Sequence, residues 1–381
     1  MVVTKPPMGW NSWNTFAGKI DENMIKEIAD KMVSEGLLDA GYDYLVIDDC
    51  WSLPERDEDG RLVPDPKKFP NGMKALSDYI HSKGLKFGMY SCAGTLTCAA
   101  RPGSYDHEFT DAATFAEWGV DFLKYDYCFR DQNVPGEILY RRMGLALANC
   151  GRDILFSACN WGVDDSDNWI KTTGAHMWRS THDIFDNWES IKTRAQQQFN
   201  RLNTNGQGCF NDMDMLVVGL NGGGFVSNDQ STLNDADYRT HFSIWAMLGS
   251  PLMIGCDVRN MSEETKKTLA NKDIIAICQD GAYRQPFFSK QRTDEIFVLA
   301  RLLEDGDIAI GFFNLSERKI ANWDVWFTFT EIGIGMGSGK TLKLRDLWTG
   351  EESIPANEVI LPGNIEPHGC KIFRASIIDR K

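Results

Sequence analysis

Apolar and polar positions along the 381-residue chain follow two alternating rhythms. Short, nearly continuous apolar runs recur at Met8–Asn11, Tyr44–Asp48, Lys86–Ser91, Phe122–Asp126, Ile154–Asn160, His176–Thr181, Phe210–Leu216 and Pro251–Gly255. Runs of that length fit parallel strands covered on their outer face by helices. Between them lie stretches with helical spacing. Asp21 is placed to cap one carrying Ile25, Ile28, Ala29 and Met32, with Gly36 or Gly41 at its end. Met73–Lys83, Thr110–Trp118, Gly136–Ala148, Trp188–Leu202, Asp235–Leu248 and Glu263–Ala270 supply others. Eight strands with intervening helices predict an α/β fold, a closed (β/α)8 TIM barrel, over residues 1–283. No GxGxxG follows a strand, which disfavours a dinucleotide fold, and Gly222-Gly223-Gly224 is read as a loop. Beyond Tyr283 the rhythm changes. Ile296–Leu303, Ile308–Phe313, Trp323–Phe329, Thr341–Leu347 and Cys370–Ala375 predict short strands of a C-terminal antiparallel β-sandwich domain over 284–381.

The barrel strands end in polar residues. In Phe122-Leu123-Lys124-Tyr125-Asp126, side chains alternate faces, so Lys124 and Asp126 point one way and Tyr125 the other. A single such end is equally well a structural ion pair closing a barrel layer. Here the pattern repeats at Asp48-Asp49, at Arg179 with Asp183, and at Asp212 and Asp214, and four polar ends suggest one shared pocket. The C-terminal strand ends of a barrel meet at one mouth. Trp10, Trp13, Trp51, Tyr90 and Trp161 fall at the same level, where each is either pocket wall or core.

Composition narrows the chemistry. The chain is 43% hydrophobic and 25% charged, as in a soluble globular protein. A formal net charge of −14 without a basic cluster disfavours nucleic acid or an anionic membrane as partner, whereas a neutral sugar suits it. No apolar run is long enough to span a bilayer, and the start at Met1-Val2-Val3 lacks the apolar core of a secretion signal, so a cytoplasmic protein is expected. The ten cysteines lack CxxC spacing, a poor basis for a disulfide framework or a zinc site. Asp164-Asp165-Ser166-Asp167 lacks the glycine and closing glutamate of a calcium loop. There is no HExxH and no GxSxG, and His182 beside Asp183 reads as structural. No metal and no cofactor is implied. What remains is carboxylate chemistry, in which glycoside hydrolysis uses one ionised and one protonated carboxyl group. Lys124 favours an ionised Asp126, and Arg179 could orient Asp183.

Met8-Gly9-Trp10-Asn11-Ser12-Trp13, Ile47-Asp48-Asp49-Cys50-Trp51, Lys124-Tyr125-Asp126, Trp178-Arg179 with Asp183, and Asn211-Asp212-Met213-Asp214-Met215-Leu216 together resemble glycoside hydrolase family 27, the family of α-galactosidases and α-N-acetylgalactosaminidases. The resemblance runs nearly the whole length. It implies a retaining exo-α-galactosidase, with Asp126 as nucleophile and Asp183 as acid/base, their carboxyl groups about 5–5.5 Å apart. It further implies that Asp48 and Asp49 clamp the galactose hydroxyls at C4 and C6 and that Lys124 binds another hydroxyl. Arg179 and Asp214 would lie near C2 and the acid/base. Trp13 and Tyr90 would be pocket walls, and Cys159 and Trp161 would face the C2 hydroxyl. Cys98 and Cys128 match a cysteine pair beside the active site, while Cys50 and Cys159 lack their family partners, which fits a reduced intracellular protein.

Asn160 and Val163 match neither the galactosaminidase nor the usual galactosidase residues, so α-N-acetylgalactosaminidase is kept as an alternative. A non-catalytic sugar-binding protein is the alternative from another class, although a placed nucleophile serves no binder. The β domain either closes the barrel wall or makes subunit contacts, so a homo-oligomer is open.

Overall fold

The structure, a computed structural model, describes residues 3–227, 233–290 and 292–380; Met1 and Val2, where the N-terminal segment begins, and Lys381 lie outside it. The eight short strands are β1 (Met8–Asn11), β2 (Tyr44–Val46), β3 (Lys86–Cys92), β4 (Phe122–Asp126), β5 (Leu155–Ala158), β6 (Met177–Arg179), β7 (Phe210–Asp212) and β8 (Leu252–Ile254). They pair in parallel in the order β7-β6-β5-β4-β3-β2-β1-β8. The seam is closed by residues beyond β7. Leu216 bridges Ile254 in parallel, its N–H donating to the Met253 carbonyl at 2.7 Å. The strand expected over Phe210–Leu216 is therefore interrupted. Asp214 sits at φ 88°, a conformation no strand accommodates, and it turns the chain between β7 and the seam.

Strand alternation sorts the side chains into an inner and an outer set. Tyr44, Val46, Phe122, Leu155, Met177, Phe210 and Met253 pack together as an apolar plug inside the barrel. Leu123, Tyr125, Phe156 and Trp178 point outward into the core beneath the helices. On β4 the inward series is Phe122, Lys124, Asp126, and on β6 it is Met177, Arg179, so the interior becomes charged toward the mouth.

The outer helices follow the expected periodicity with small shifts at their ends. Asp21 caps Glu22–Ser34 by accepting the Met24 N–H, and Ile25, Ile28, Ala29 and Met32 are its buried stripe. Trp188–Gln197 stops short of Leu202. Besides the single turns Trp13–Phe16 and Leu37–Ala40, the helix Lys272–Cys278, capped by Asn271, was not anticipated, because two turns of Ile-Ile-Ala-Ile-Cys carry no readable period.

Eight residues separate that helix from the C-terminal domain, the stretch in which the expected 283/284 boundary falls. The domain has a six-stranded antiparallel sheet made of β9 (Phe287–Phe288), β10 (Ile296–Leu302), β11 (Ile308–Asn314), β13 (Lys340–Asp346), β14 (Glu352–Ser353) and β16 (Cys370–Asp379). A two-stranded sheet of β12 (Phe327–Thr328) and β15 (Val359–Ile360) lies beside it. The expected strand Trp323–Phe329 shrinks to β12. Trp323 lies at φ 73° and Phe329 opens a 3-10 turn, so the pleat fails at both ends. Phe297, Leu299 and Phe313 join the barrel core from one face of the large sheet, against the helix Asp235–Leu248, while Val298, Ile310 and Phe312 bury the other face.

Candidate active site

A cavity of about 330 Å³ opens at the C-terminal ends of the barrel strands. Its lining includes Trp13, Asp48, Asp49, Tyr90, Cys98, Lys124, Asp126, Trp161, Arg179, Asp183 and Asp214, which is every expected site residue except Cys159. These residues span 202 positions of sequence and come from β1 through the turn after β7; the barrel brings them together.

One wall is a buried charge cluster. The Lys124 ammonium lies 2.8 Å from Asp48 Oδ2, which also accepts from Asn11 Nδ2 at 2.8 Å. Burial alone would depress the lysine, but Asp48 and Asp126 together hold its affinity for the proton above normal. Asp49 is clamped by the Thr97 hydroxyl, the Ala99 N–H and the Cys50 N–H, and burial raises its pKa. Each of its oxygens already has a protein partner, so its direction is fixed before any ligand arrives. Asp126, only 6% exposed, accepts the Tyr127 N–H at 2.9 Å and the Tyr90 hydroxyl at 3.2 Å. Burial pushes its pKa up to about 6, against the pull of Lys124 and with the help of Asp183.

The facing wall is organised by Arg179. Its guanidinium reaches Asp183 Oδ1 and Asp214 Oδ1, both at 2.9 Å, and donates to the Thr181 carbonyl at 3.1 Å. Burial would weaken so enclosed a cation, yet Asp214, Cys159 and Asp183 keep it charged. Asp214 is buried, and its oxygens accept the Ile184 and Met215 N–H groups at 2.7 Å. Burial raises it. Asp183 differs, because 62% of its side chain is exposed. What burial it has would raise its pKa, but Arg179 and Lys124 outweigh this and hold it low. The two carboxyl groups thus meet the solvent unequally, Asp126 at the floor and Asp183 at the rim.

Cys159 departs from the expectation. It is buried behind Arg179, whose Nη1 approaches its sulfur at 3.7 Å, and it does not line the cavity. Asn160 is also turned inward, its side chain donating to the Val163 carbonyl at 2.8 Å. It secures the turn that carries Trp161 at φ 59° and Gly162 at φ 73°. A Cβ on Gly162 would fall 2.3 Å from the Ser180 carbonyl, so glycine alone fits there. Of that loop only Trp161 reaches the cavity. Trp10 and Trp51 are core, their indole N–H groups donating to the Cys256 and Tyr90 carbonyls. Asp212 lies beneath the site beside Asn11 and Met177, where burial raises it to about 6.

Cys98 and Cys128 are joined in a disulfide, and the remaining eight cysteines are unpaired. Two of the three carboxylates of the Asp164–Asp167 run are engaged separately: Asp164 accepts the Tyr127 hydroxyl and pairs with Arg130, and Asp167 pairs with Arg201. Sequence reasoning missed Asn14, Phe185, Met215, Phe225 and Val226, which also line the cavity. Phe185 follows Asp183 by two residues, and Phe225 directly follows the triple glycine that reads as an ordinary loop.

A barrel whose mouth collects one enclosed and one exposed carboxyl group, each beside a fixed cation, is the framework of a glycoside hydrolase. Residues 5–280 match the family described as Alpha galactosidase A, and residues 293–375 match the Alpha galactosidase C-terminal beta sandwich domain. The chain belongs to this α-galactosidase family, glycoside hydrolase family 27. It is 43% identical to the alpha-galactosidase of Cyamopsis tetragonoloba, over 97% of this chain and 85% of the relative. Against alpha-galactosidase I from Mortierella vinacea the TM-score is 0.89 at 33% identity, covering 99% of this chain and 98% of that one. A Saccharomyces cerevisiae alpha-galactosidase solved with raffinose gives 0.84 at 28% identity, covering 98% of each chain.

Proposed function

We propose that this protein is a retaining exo-α-galactosidase that removes terminal α-linked galactose from small oligosaccharides. The observation that carries the reading is the pairing, in one cavity, of the floor carboxylate Asp126, within the electrostatic pull of Lys124, with the rim carboxyl Asp183 held by Arg179. Fixed donors and acceptors at Lys124, Asp48 and Asp49 suit a sugar whose hydroxyls must each find a partner. An epimer would leave a buried polar group unpaired.

In the first step the Asp126 carboxylate attacks the anomeric carbon while the bond to the leaving oxygen breaks. Asp183 gives that oxygen its proton, and a galactosyl ester on Asp126 results. In the second step Asp183 takes a proton from water, the resulting hydroxide attacks the same carbon, and Asp126 leaves as carboxylate. Two displacements at one carbon retain the α configuration.

In the ligand-free site Asp126 holds its proton more tightly than Asp183, the reverse of what the first step requires. A leaving group seated at the rim strips water from the exposed Asp183 and raises its proton affinity. The substrate thereby completes the acid. Asp126 must stay ionised, so activity falls as pH drops through about 6.

Hydrolysis of nitrophenyl α-galactoside and nitrophenyl α-N-acetylgalactosaminide, measured side by side at equal enzyme concentration, tests the substrate. Strong preference for the galactoside is expected. Preference for the acetamido sugar would overturn the substrate while leaving the two-carboxyl chemistry, and no turnover of either would overturn both.

A further inference from the structure

The charged floor accounts for the sugar that is cleaved, not for what it is cleaved from. Phe185 and Phe225 line the same cavity, yet they are 51% and 61% exposed. A lone exposed phenylalanine needs no explanation. These two come from different loops and converge on one opening, where Phe225 meets Trp13 edge to face with ring centroids 5.5 Å apart.

The loop carrying Phe225 is held in place. Buried Asp186 accepts the Gly222 N–H and the Ser227 hydroxyl at 2.9 Å on one oxygen, and the Tyr238 hydroxyl at 2.8 Å on the other. The Phe225 and Val226 N–H groups donate to the Thr15 and Asn14 carbonyls at 3.1 Å. Gly224, at φ 116°, packs so tightly that a Cβ would lie 2.9 Å from the Asn14 carbonyl. The structure thus fixes an apolar ring at the rim although solvent surrounds much of it.

Depth decides what the rings face. Asp48, Asp49 and Asp126 are buried at the floor, whereas Asp183, which meets the leaving oxygen, is at the rim. Phe185, two residues beyond Asp183 in the chain, lines the same cavity and, like Asp183, is more than half exposed. Met215 and Val226 add further apolar surface to the cavity lining.

We infer that Phe185 and Phe225, with Trp13, form a leaving-group subsite that holds a second sugar ring by the apolar C–H face of that ring. Burying C–H groups against an aromatic face removes apolar area from water, and the ring's negative face attracts the polarised hydrogens. The subsite makes the protein selective for a disaccharide linkage over a leaving group without a ring. This rests on the α-galactosidase reading.

The test compares kcat/KM for an α-galactosyl-glucose disaccharide and for α-galactosyl fluoride, whose leaving group reaches neither ring. For Phe185→Ala and Phe225→Ala the disaccharide value is expected to fall about tenfold each, the loss anticipated when roughly half of an aromatic ring's contact is removed. The fluoride value should stay within about twofold, the resolution of such comparisons, and Phe225→Tyr, which keeps a ring, should restore the disaccharide value. An equal loss on both substrates would mean a disturbed loop and overturn the inference, as would an unchanged disaccharide value. Failure of the unsubstituted protein to hydrolyse the fluoride would instead overturn the activity reading on which the subsite depends.

Discussion

Replacing Lys124 by methionine isolates the electrostatics of the floor. Methionine keeps much of the lysine stem's volume and removes the charge together with the donor to Asp48 and to the sugar, so the plateau falls as well and the position of the acidic limb is what reports on Asp126. Lys124 and Asp126 are two residues apart on one strand, which spaces their Cα atoms by roughly 6–7 Å, and we take that spacing as the scale of their charge separation. At an effective dielectric near 20, one opposite charge at that distance is worth about 2.5 kcal/mol. That energy corresponds to about two pH units in the titration of Asp126. The sign follows from the chemistry, because losing a nearby cation disfavours the carboxylate and raises its pKa from about 6.

The assay is the pH dependence of kcat/KM on nitrophenyl α-galactoside, whose good leaving group needs little help from Asp183. The acidic limb should move up by about two units, and at pH 6 the ionised fraction alone lowers the rate about fiftyfold. Asp48→Asn supplies the opposite sign. It releases Lys124 from its 2.8 Å partner and leaves Asp126 as the main anion facing it. The limb should then move down, although loss of a sugar contact lowers the plateau. An acidic limb that stays near pH 6 in both variants would refute the assignment of that limb to Asp126 and of its tuning to the Lys124 cluster.

The raised pKa of Asp126 has a stability counterpart. Its folded value of about 6 exceeds the ordinary 3.8, so its charge weighs against the fold above pH 6, and the penalty fades as pH falls from about 6 to about 4. Asp126→Asn should therefore raise stability by ~2–3 kcal/mol at pH 7.5, measured by urea unfolding, and change it little at pH 4. Gly162→Ala should lower stability by ~2 kcal/mol or more in the same assay, because its Cβ meets the Ser180 carbonyl and its φ is positive. Replacing Cys98 and Cys128 by serine opens a loop of 30 residues and should cost ~3 kcal/mol. Activity should fall with it, because both residues line the cavity. Asp183→Ala should slow a disaccharide far more than α-galactosyl fluoride, as single-turnover kinetics would show; equal slowing would remove Asp183 from the acid role.

The parts of this molecule written into its sequence are those that depend on local rules. Strand alternation put Lys124 and Asp126 on one face, and the barrel then set them in the same cavity as Arg179 and Asp214. Helical periodicity located the long helices to within a few residues. Positive φ angles were invisible. Asp214 breaks β7, Trp323 breaks a sandwich strand, and Trp161 turns its loop, yet none is a glycine that would announce such a turn. Side-chain direction in loops was equally hidden, which is why Cys159 reads as a pocket residue and is instead a support behind it. Phe185 and Phe225 lie in segments without period or motif. Tertiary contacts alone bring them to the rim: Asp186 packs against the Gly222–Ser227 loop, and the Phe225 and Val226 N–H groups reach the Thr15 and Asn14 carbonyls.

The central claim is that Asp126 forms the covalent bond to the sugar. Incubating the protein with 2-deoxy-2-fluoro-α-galactosyl fluoride slows both steps, and its good leaving group lets the ester accumulate. Peptide mass spectrometry should then find one fluorogalactosyl adduct, on Asp126. An adduct on any other carboxylate would contradict the account, as would the absence of any adduct in protein that hydrolyses α-galactosides with inversion.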